Sequence, residues 1–428
     1  MTLKIAYLVQ QFPPEVGAGP ARVSEMALRW TAAGAKVSVF TALPNRPAGV
    51  IPPEYRGRLH VREEWNGIEV HRSWLYATPN PGFARTVANN LSFMATGGAT
   101  AALRARGADV LIASSPPFFV HLAGEAARRA LRLPLVLEVR DLWPDYLVGM
   151  GKVKGRSARA LLGLERALLH RAAHVVVVTD TFRRRMAEKG VDPSRVSVIP
   201  NAVDDALYYR SDEAPPFPEM AASDGRLVVG YLGNFGASQD LPAVVDAAAR
   251  LDAEGVPVRV VLAGDGTERD RVMRRVETAR PANLTVHGSI PKTDTRAFYG
   301  ACDIFIVPLA GVPQLQDTIP SKLFEVMACE TPVVVAAAGE AARVVNEAGC
   351  GVVAAPGDAA SIAAAVKQLA ALSPERRAEM GRAGRAYVRE HYNRGVLAGR
   401  YLELLGRVAA GRGVPAALPA TPNAVEGR

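Results

Sequence analysis

The 428-residue chain has only three cysteines, Cys302, Cys329 and Cys350, and no Cys-x-x-Cys pair. Three thiols cannot build a disulfide framework, which points to a reducing compartment, and their apolar neighbours read as packing for small buried hydrophobes. No stretch reaches 18 consecutive apolar residues, so no membrane-spanning helix is expected. The first nine residues hold one lysine and a short apolar run, followed by Gln10 and Gln11; that is a first strand rather than a signal peptide. A soluble, cytoplasmic protein is expected. No Asp-x-Asp triplet occurs, which disfavours a metal-bridged diphosphate, and no metal ligand set is assigned. Aromatic residues are scarce at 6% and do not interleave with the basic ones, which speaks against nucleic acid as a partner.

What is present is charge of uneven distribution. The net charge is +9, yet residues 1–200 alone carry 27 basic and 15 acidic side chains, a surplus of +12, while residues 201–428 carry −3. Two halves with different partners would explain that asymmetry. The densest basic run is 152–189, from Lys152 and Lys154 through Arg183, Arg184, Arg185 and Lys189. It reads as solvated helix faces, or as a surface for anionic lipid or a phosphorylated substrate.

Short β-branched runs alternate with longer Ala-rich segments along the whole chain, the pattern of βα units with parallel sheets. Strands are expected at Lys4–Val9, Lys36–Thr41, Val110–Ala113, Leu135–Val139, Val175–Val178 and Val196–Ile199 in the first half. In the second half they are expected at Leu227–Leu232, Val258–Ala263, Leu284–Val286, Ile304–Val307, Val333–Val335 and Gly351–Val353. The fold class is therefore α/β, two doubly wound domains in tandem. Their expected extents are 1–205 and 206–390, with a helix at 391–410 packing back on the first domain and a disordered tail at 411–428. A proline-rich stretch, Pro200 to Gly225, reads as the linker. Residues 46–67, with Pro47, Pro52, Pro53 and Gly57, yield no assignment from pattern.

Five segments can carry chemistry. Phe12 to Pro20 follows the first strand and holds Gly17 and Gly19; it reads equally as a tight turn or as an anion cradle at a helix start. It lacks the Gly-x-Gly-x-x-Gly spacing of a dinucleotide site. Glu138-Val139-Arg140-Asp141-Leu142-Trp143 runs past the end of a strand, where ligands of open parallel sheets bind; an ion pair between Arg140 and an aspartate is the plainer reading. Gly230 to Gly236, which includes Asn234, and Ala263-Gly264-Asp265-Gly266 place two glycine turns on one sheet edge. Most specific is Pro320-Ser321-Lys322-Leu323-Phe324-Glu325-Val326-Met327-Ala328. Its first amides and Lys322 suit a diphosphate, and Glu325, within an apolar sequence, suits paired sugar hydroxyls.

These residues resemble the retaining glycosyltransferases of family 4 over about residues 4–405. The resemblance rests on the Gly17/Gly19 loop, Pro200-Asn201-Ala202-Val203-Asp204, Gly264-Asp265-Gly266 and Phe324-Glu325-Val326-Met327-Ala328. It implies the GT-B architecture, two Rossmann-like domains facing across a cleft, with the acceptor on the first and the nucleotide sugar on the second. Arg140-Asp141-Leu142-Trp143-Pro144 and Pro320-Ser321-Lys322 resemble the subgroup that builds O-antigen and colanic-acid-type polysaccharides, whose members often transfer N-acetylamino sugars, fucosamine among them. The implied reaction is hexosyl transfer from a UDP-linked donor, without cofactor or metal. The implied acceptor is polyprenyl-diphosphate-linked or saccharide, met at the inner face of the cell membrane by a peripherally bound enzyme.

The resemblance carries over residue by residue. Glu325 takes the place of the glutamate that binds the donor ribose, and Asp317 that of its partner eight residues earlier, one methylene shorter. Asn234 and Gln239 stand where the family has an Arg and a Lys for the diphosphate, so that charge falls to Lys322 and helix amides. The family histidine is missing, since Ile112-Ala113-Ser114 occupy its place. Arg140, Asp141 and Asp317 are thus the catalytic candidates, and Gly17, Gly19, Asn234, Gly264, Ser321, Lys322 and Glu325 the binding candidates. A sugar-nucleotide 2-epimerase of the same architecture and a non-catalytic nucleotide-sugar-binding protein are the alternatives.

Overall fold

The apolar runs of the sequence all become strands, three to seven residues long and most of them buried on both faces. In a computed structural model, which describes residues 2–46, 48–79, 82–221 and 224–412, they form two sheets. The contacts divide the chain into two units, residues 1–200 with 395–428, and residues 201–394. The expected tail falls mostly on residues 413–428, outside the described part.

The first unit holds β1 (Lys4–Val9), β2 (Lys36–Ala42), β3 (His60–Trp65), β4 (Ile68–Ser73), β5 (Val110–Ser115), β6 (Leu135–Val139), β7 (His174–Val177) and β8 (Val196–Val198). They form one sheet in the order β3-β4-β2-β1-β5-β6-β7-β8, parallel except for β3 against β4. Its helices are α1 (Ala18–Ala32), α2 (Phe83–Arg104), α3 (Phe119–Leu131), α4 (Trp143–Gly149), α5 (Gly155–Arg171) and α6 (Asp180–Glu188). The chain leaves β1 first toward β2 and later returns on its other side as β5. That reversal opens a crevice at the C-terminal ends of β1 and β5, the place where doubly wound sheets bind ligands.

The second unit holds β9 (Leu227–Leu232), β10 (Val258–Ala263), β11 (Leu284–His287), β12 (Ile304–Pro308), β13 (Val333–Ala336) and β14 (Gly351–Ala354). All pairs are parallel, in the order β11-β10-β9-β12-β13-β14, so the reversal lies between β9 and β12. Its helices are α7 (Leu241–Ala253), α8 (Arg269–Ala279), α9 (Thr295–Gly300), α10 (Ser321–Ala328), α11 (Glu340–Ala348), α12 (Ala359–Ala370) and α13 (Pro374–His391). The last helix, α14 (Arg394–Ala409), belongs almost wholly to the first unit. There the Trp30 indole of α1 donates to the Ala398 carbonyl at 3.0 Å and packs edge-on against Tyr401. The two layers of each unit bury the Val, Ile and Leu side chains of the strands, each contributing about 1.5–3 kcal/mol on transfer from water.

Two expectations are corrected. The stretch Pro200 to Gly225 is not a free linker: Tyr208 and Met220 are buried in the core of the second unit. The crossovers fall at 200/201 and 394/395 instead of 205/206 and 390/391. The cause is a short bridge in which Val203 pairs with Asn393, its N–H donating to the Tyr392 carbonyl and its carbonyl accepting from Arg394. Within the unassigned stretch, Pro53–Tyr55 form a 3-10 turn and β3 opens a hairpin with β4. Asn66 and Gly67, both at positive φ (47° and 78°), make its two-residue turn, a geometry that favours these two residue types.

Candidate active site

At the C-terminal edge of the first sheet, Gly17 precedes α1 and Gly19 lies in its first turn. A Cβ on Gly19 would stand 3.3 Å from Nη1 of Arg140, so the small residue lets the guanidinium come close. Arg140 follows β6; its Nε donates to the Ser115 carbonyl at 2.7 Å and Nη1 reaches the Gly19 carbonyl at 3.4 Å. It therefore ties the first turn of α1 to the end of β5. No ion pair joins Arg140 to Asp141 among the described residues. Asp141 instead keeps one buried oxygen, Oδ1, without a hydrogen-bond partner. Burial raises its carboxyl to about 6 against the opposing charge of Arg140. The other aspartate of the segment, Asp145, pairs with Lys189 of the basic run at 2.5 Å, and Lys189 also meets the buried Glu165.

In the same segment Glu138, which the sequence places in this cluster without a role of its own, is the centre of a buried group. Glu138, fully buried in β6, accepts from Tyr7 at 2.9 Å, Ser114 at 2.5 Å and Arg22 at 3.0 and 3.1 Å. Burial alone would raise its carboxyl, but the charges of Arg22 and Arg140 and these hydrogen bonds hold it below the usual range. Arg22 also donates to the carbonyls of Ile199 and Pro200 at 2.7 Å, the last residues before the crossover. A glutamate within the otherwise apolar Leu135–Val139 run was the available signal, since a buried carboxylate needs partners.

In the second unit the loops after β9 and β10 lock together. Phe235 N–H donates to the Asp265 carbonyl at 2.8 Å, and Gly233 N–H to the Ala263 carbonyl at 3.0 Å. Gly264 has φ 145°, and a Cβ there would lie 1.8 Å from the Gly233 carbonyl oxygen. No other residue fits. The exposed Asn234 sits on this turn, its carbonyl accepting from the Tyr231 hydroxyl at 2.7 Å. Gln239, in the next turn, has a buried Oε1 with no partner.

Helix α10 begins at Ser321, after Pro320, with its first amides free of side-chain caps. Lys322, in its first turn, places Nζ 4.1 Å from the centroid of the Tyr231 ring and beside Gly233, where a Cβ would come within 2.5 Å of it. That Nζ is buried and has no hydrogen-bond partner. Burial pushes the ammonium down to about 7, with Glu325 pulling the other way. One turn on, Glu325 accepts from the Tyr299 hydroxyl of α9 at 3.0 Å and faces the Tyr208 hydroxyl. Its carboxyl is raised by burial, opposed by Tyr299, Lys292, Lys322 and Tyr208 in that order. Asp317 lies in the β12–α10 loop, which is fastened to the start of α11 by the Glu340 N–H donating to the Gln316 carbonyl at 2.9 Å. The second unit thus gathers Asn234, Gly264, Ser321, Lys322 and Glu325 on and around one sheet edge; Tyr231, Tyr208 and Tyr299 escaped the sequence reading. Among the described residues no group of three or more His, Cys, Asp or Glu side chains is placed to hold a metal ion. None of the described helices is long and apolar enough to cross a membrane.

Comparison with known proteins follows the same two units. Residues 17–202 match the glycosyl transferase 4-like domain and residues 216–387 match glycosyl transferases group 1. The chain is 27% identical over 296 residues to the probable glycosyltransferase WbjE of Pseudomonas aeruginosa, covering 68% of this chain and 72% of that protein. It is 25% identical over 335 residues to the putative colanic acid biosynthesis glycosyl transferase WcaI of Escherichia coli K12, covering 76% and 81%. The structure of Anabaena HepE in complex with UDP-glucose superposes with a TM-score of 0.69 at 19% identity, over 94% of this chain and 99% of that one.

Proposed function

The chain is a glycosyltransferase of GT-B fold, its first unit a glycosyl transferase 4-like domain and its second a group 1 domain, and from that premise we propose that it transfers a hexose-type amino sugar from a UDP-linked donor to a polyprenyl-diphosphate-linked or saccharide acceptor in bacterial surface polysaccharide synthesis. The observation that carries the donor reading is the edge of the second unit: a buried, unpartnered ammonium beside a glycine turn, one helical turn from a buried carboxylate. HepE, of the same fold, is known with UDP-glucose bound, and WcaI is named for colanic acid biosynthesis. The amino-sugar preference is supported by the likeness of Pro320-Ser321-Lys322-Leu323-Phe324-Glu325 to the O-antigen subgroup.

In this reading Ser321 and the α10 amides hold the diphosphate with Lys322, Gly264 and Asn234 line its approach, and Glu325 accepts from the ribose hydroxyls. Asp317 reaches the donor sugar. Gly17, Gly19, Arg140 and Asp141 face the acceptor. Transfer is retaining: the acceptor hydroxyl attacks on the face the diphosphate leaves, and a phosphate oxygen takes its proton. Positioning and stabilisation of the leaving group then supply the catalysis, with no enzyme nucleophile. The exposed Lys152, Lys154, Arg156 and Arg159, next to exposed Tyr146 and Met150, present the first unit to the anionic inner face of the cell membrane.

The test is product analysis with a panel of UDP-linked sugars and a polyprenyl-diphosphate-linked sugar acceptor. UDP released only when acceptor is present, with a glycosylated lipid, supports the reading. An altered sugar nucleotide formed without acceptor, or no turnover with any donor, overturns it.

A further inference from the structure

Lys322 stands in an arrangement that neither charge state of the free protein satisfies. Its amine is buried and accepts or donates no hydrogen bond among the described residues. Its one close favourable contact is the face of Tyr231, 4.1 Å away. It also sits in the first turn of α10, where the helix dipole is positive and disfavours a cation. The titratable groups about it are few. Tyr231 on β9 is itself hydrogen-bonded away, to the Asn234 carbonyl. Glu325 on its own helix is engaged by Tyr299, with Tyr208 and Lys292 behind it. Asp317 lies in the loop before α10 and Asp265 in the loop after β10, where its carboxylate accepts from the Gly266 N–H at 2.7 Å.

An anion lodged between the Gly233 turn and the α10 amides would answer all of this together. It would give Nζ an acceptor, match the helix end, and restore the charge that burial removes. Resting on the donor reading above, we propose that binding of the nucleoside diphosphate is coupled to uptake of up to one proton by Lys322, which becomes fully charged when the donor arrives and then neutralises the departing diphosphate. The amine takes the proton from solvent; no bond in the donor changes in this step. Burial brings the free side chain down to about 7, so uptake is about half a proton at pH 7 and nearly complete one unit higher. It also explains how a chain with Asn234 and Gln239 in place of two cations can hold a dianion without an always-charged residue buried in its empty site.

The experiment is titration calorimetry of the full chain with UDP at pH 8, where the nucleotide is fully ionised, in Hepes and in Tris. The observed heat should differ between buffers by an uptake of about 0.9 proton per UDP, the share of amine left neutral one unit above its midpoint. The dissociation constant should rise about tenfold per pH unit above 7. Lys322→Arg, whose guanidinium is never neutral, should bind UDP with no buffer dependence. Lys322→Met, checked by its melting curve, should bind weakly and also without uptake. Tight binding with equal heats in both buffers would overturn proton coupling while leaving the donor site standing. Uptake that persists in Lys322→Met would overturn it by placing the proton elsewhere. Failure of the wild type to bind UDP at any pH would remove the donor reading, and this inference with it.

Discussion

Replacing Lys322 by methionine should stabilise the protein, and the size and pH dependence of the gain follow from where the amine sits. In the unfolded chain this lysine stays protonated up to the ordinary 10.5, and in the folded chain only up to about 7. Between those values the unfolded state binds the extra proton, so this group makes folding more favourable as pH rises. Its cost is complete below about 7 and gone above 10.5. At about 1.4 kcal/mol per unit the gap sets a ceiling of about 5 kcal/mol. The lost contact with Tyr231 offsets about 1 kcal/mol of that, and relaxation with water entry takes more. A net gain of about 2 kcal/mol is expected, or roughly 4–8 °C in melting temperature for a unit of this size. Methionine keeps the stem length and adds no polar atom, so no new strain is introduced. Calorimetric melts of both proteins at pH 6.5, 8 and 10 give the answer. The advantage of Lys322→Met should be greatest at pH 6.5 and vanish by pH 10. A variant that melts at or below the wild type at pH 6.5, or whose advantage does not shrink, would refute the argument.

Glu325→Gln should weaken UDP binding by about 10- to 100-fold while leaving the melting temperature nearly unchanged, because the amide oxygen can still accept from Tyr299; calorimetry and a melting curve together separate this from a structural role. The same variant should move the midpoint of UDP affinity to lower pH, since Glu325 is the charge that holds the Lys322 proton on. Arg22→Met leaves Glu138 buried without its main counter-charge and frees the Ile199 and Pro200 carbonyls, which should cost about 3–5 kcal/mol in denaturant titration. In the wild type the Glu138 carboxylate stabilises above its ordinary 4.5 and that contribution is lost as pH falls through its lowered value; in the variant, where burial outweighs the remaining charge of Arg140, stability should instead fall as pH rises above the ordinary 4.5. Vesicle co-sedimentation should drop steeply between low and high salt and on Lys152→Glu with Lys154→Glu, each basic residue contributing about 1 kcal/mol; equal binding to neutral and anionic vesicles would count against the docking face.

The sequence by itself determined the framework. Strands such as Ile304–Pro308 and Val333–Ala336 are buried on both faces, so they read as unbroken apolar runs, and a parallel sheet needs a helix between each pair. The donor-edge glycines were legible for the same kind of local reason: only a residue without Cβ can take the turn at Gly264. The hairpin β3–β4 was missed because β3 is an edge strand of polar and half-exposed residues, His60 to Trp65, whose one clear signal was Asn66-Gly67. Only the tertiary structure decided who meets whom. It parts Arg140 from Asp141 and sends it to Ser115 and Gly19, and it closes Arg22 and Tyr7 on Glu138 from more than 100 residues away. It also sets Lys322 against the Tyr231 ring with nothing to accept its protons. Local pattern specifies which element a residue occupies and which face it shows. Burial, and with it the charge a side chain carries, depends on neighbours contributed by other strands, and no spacing along the chain encodes them.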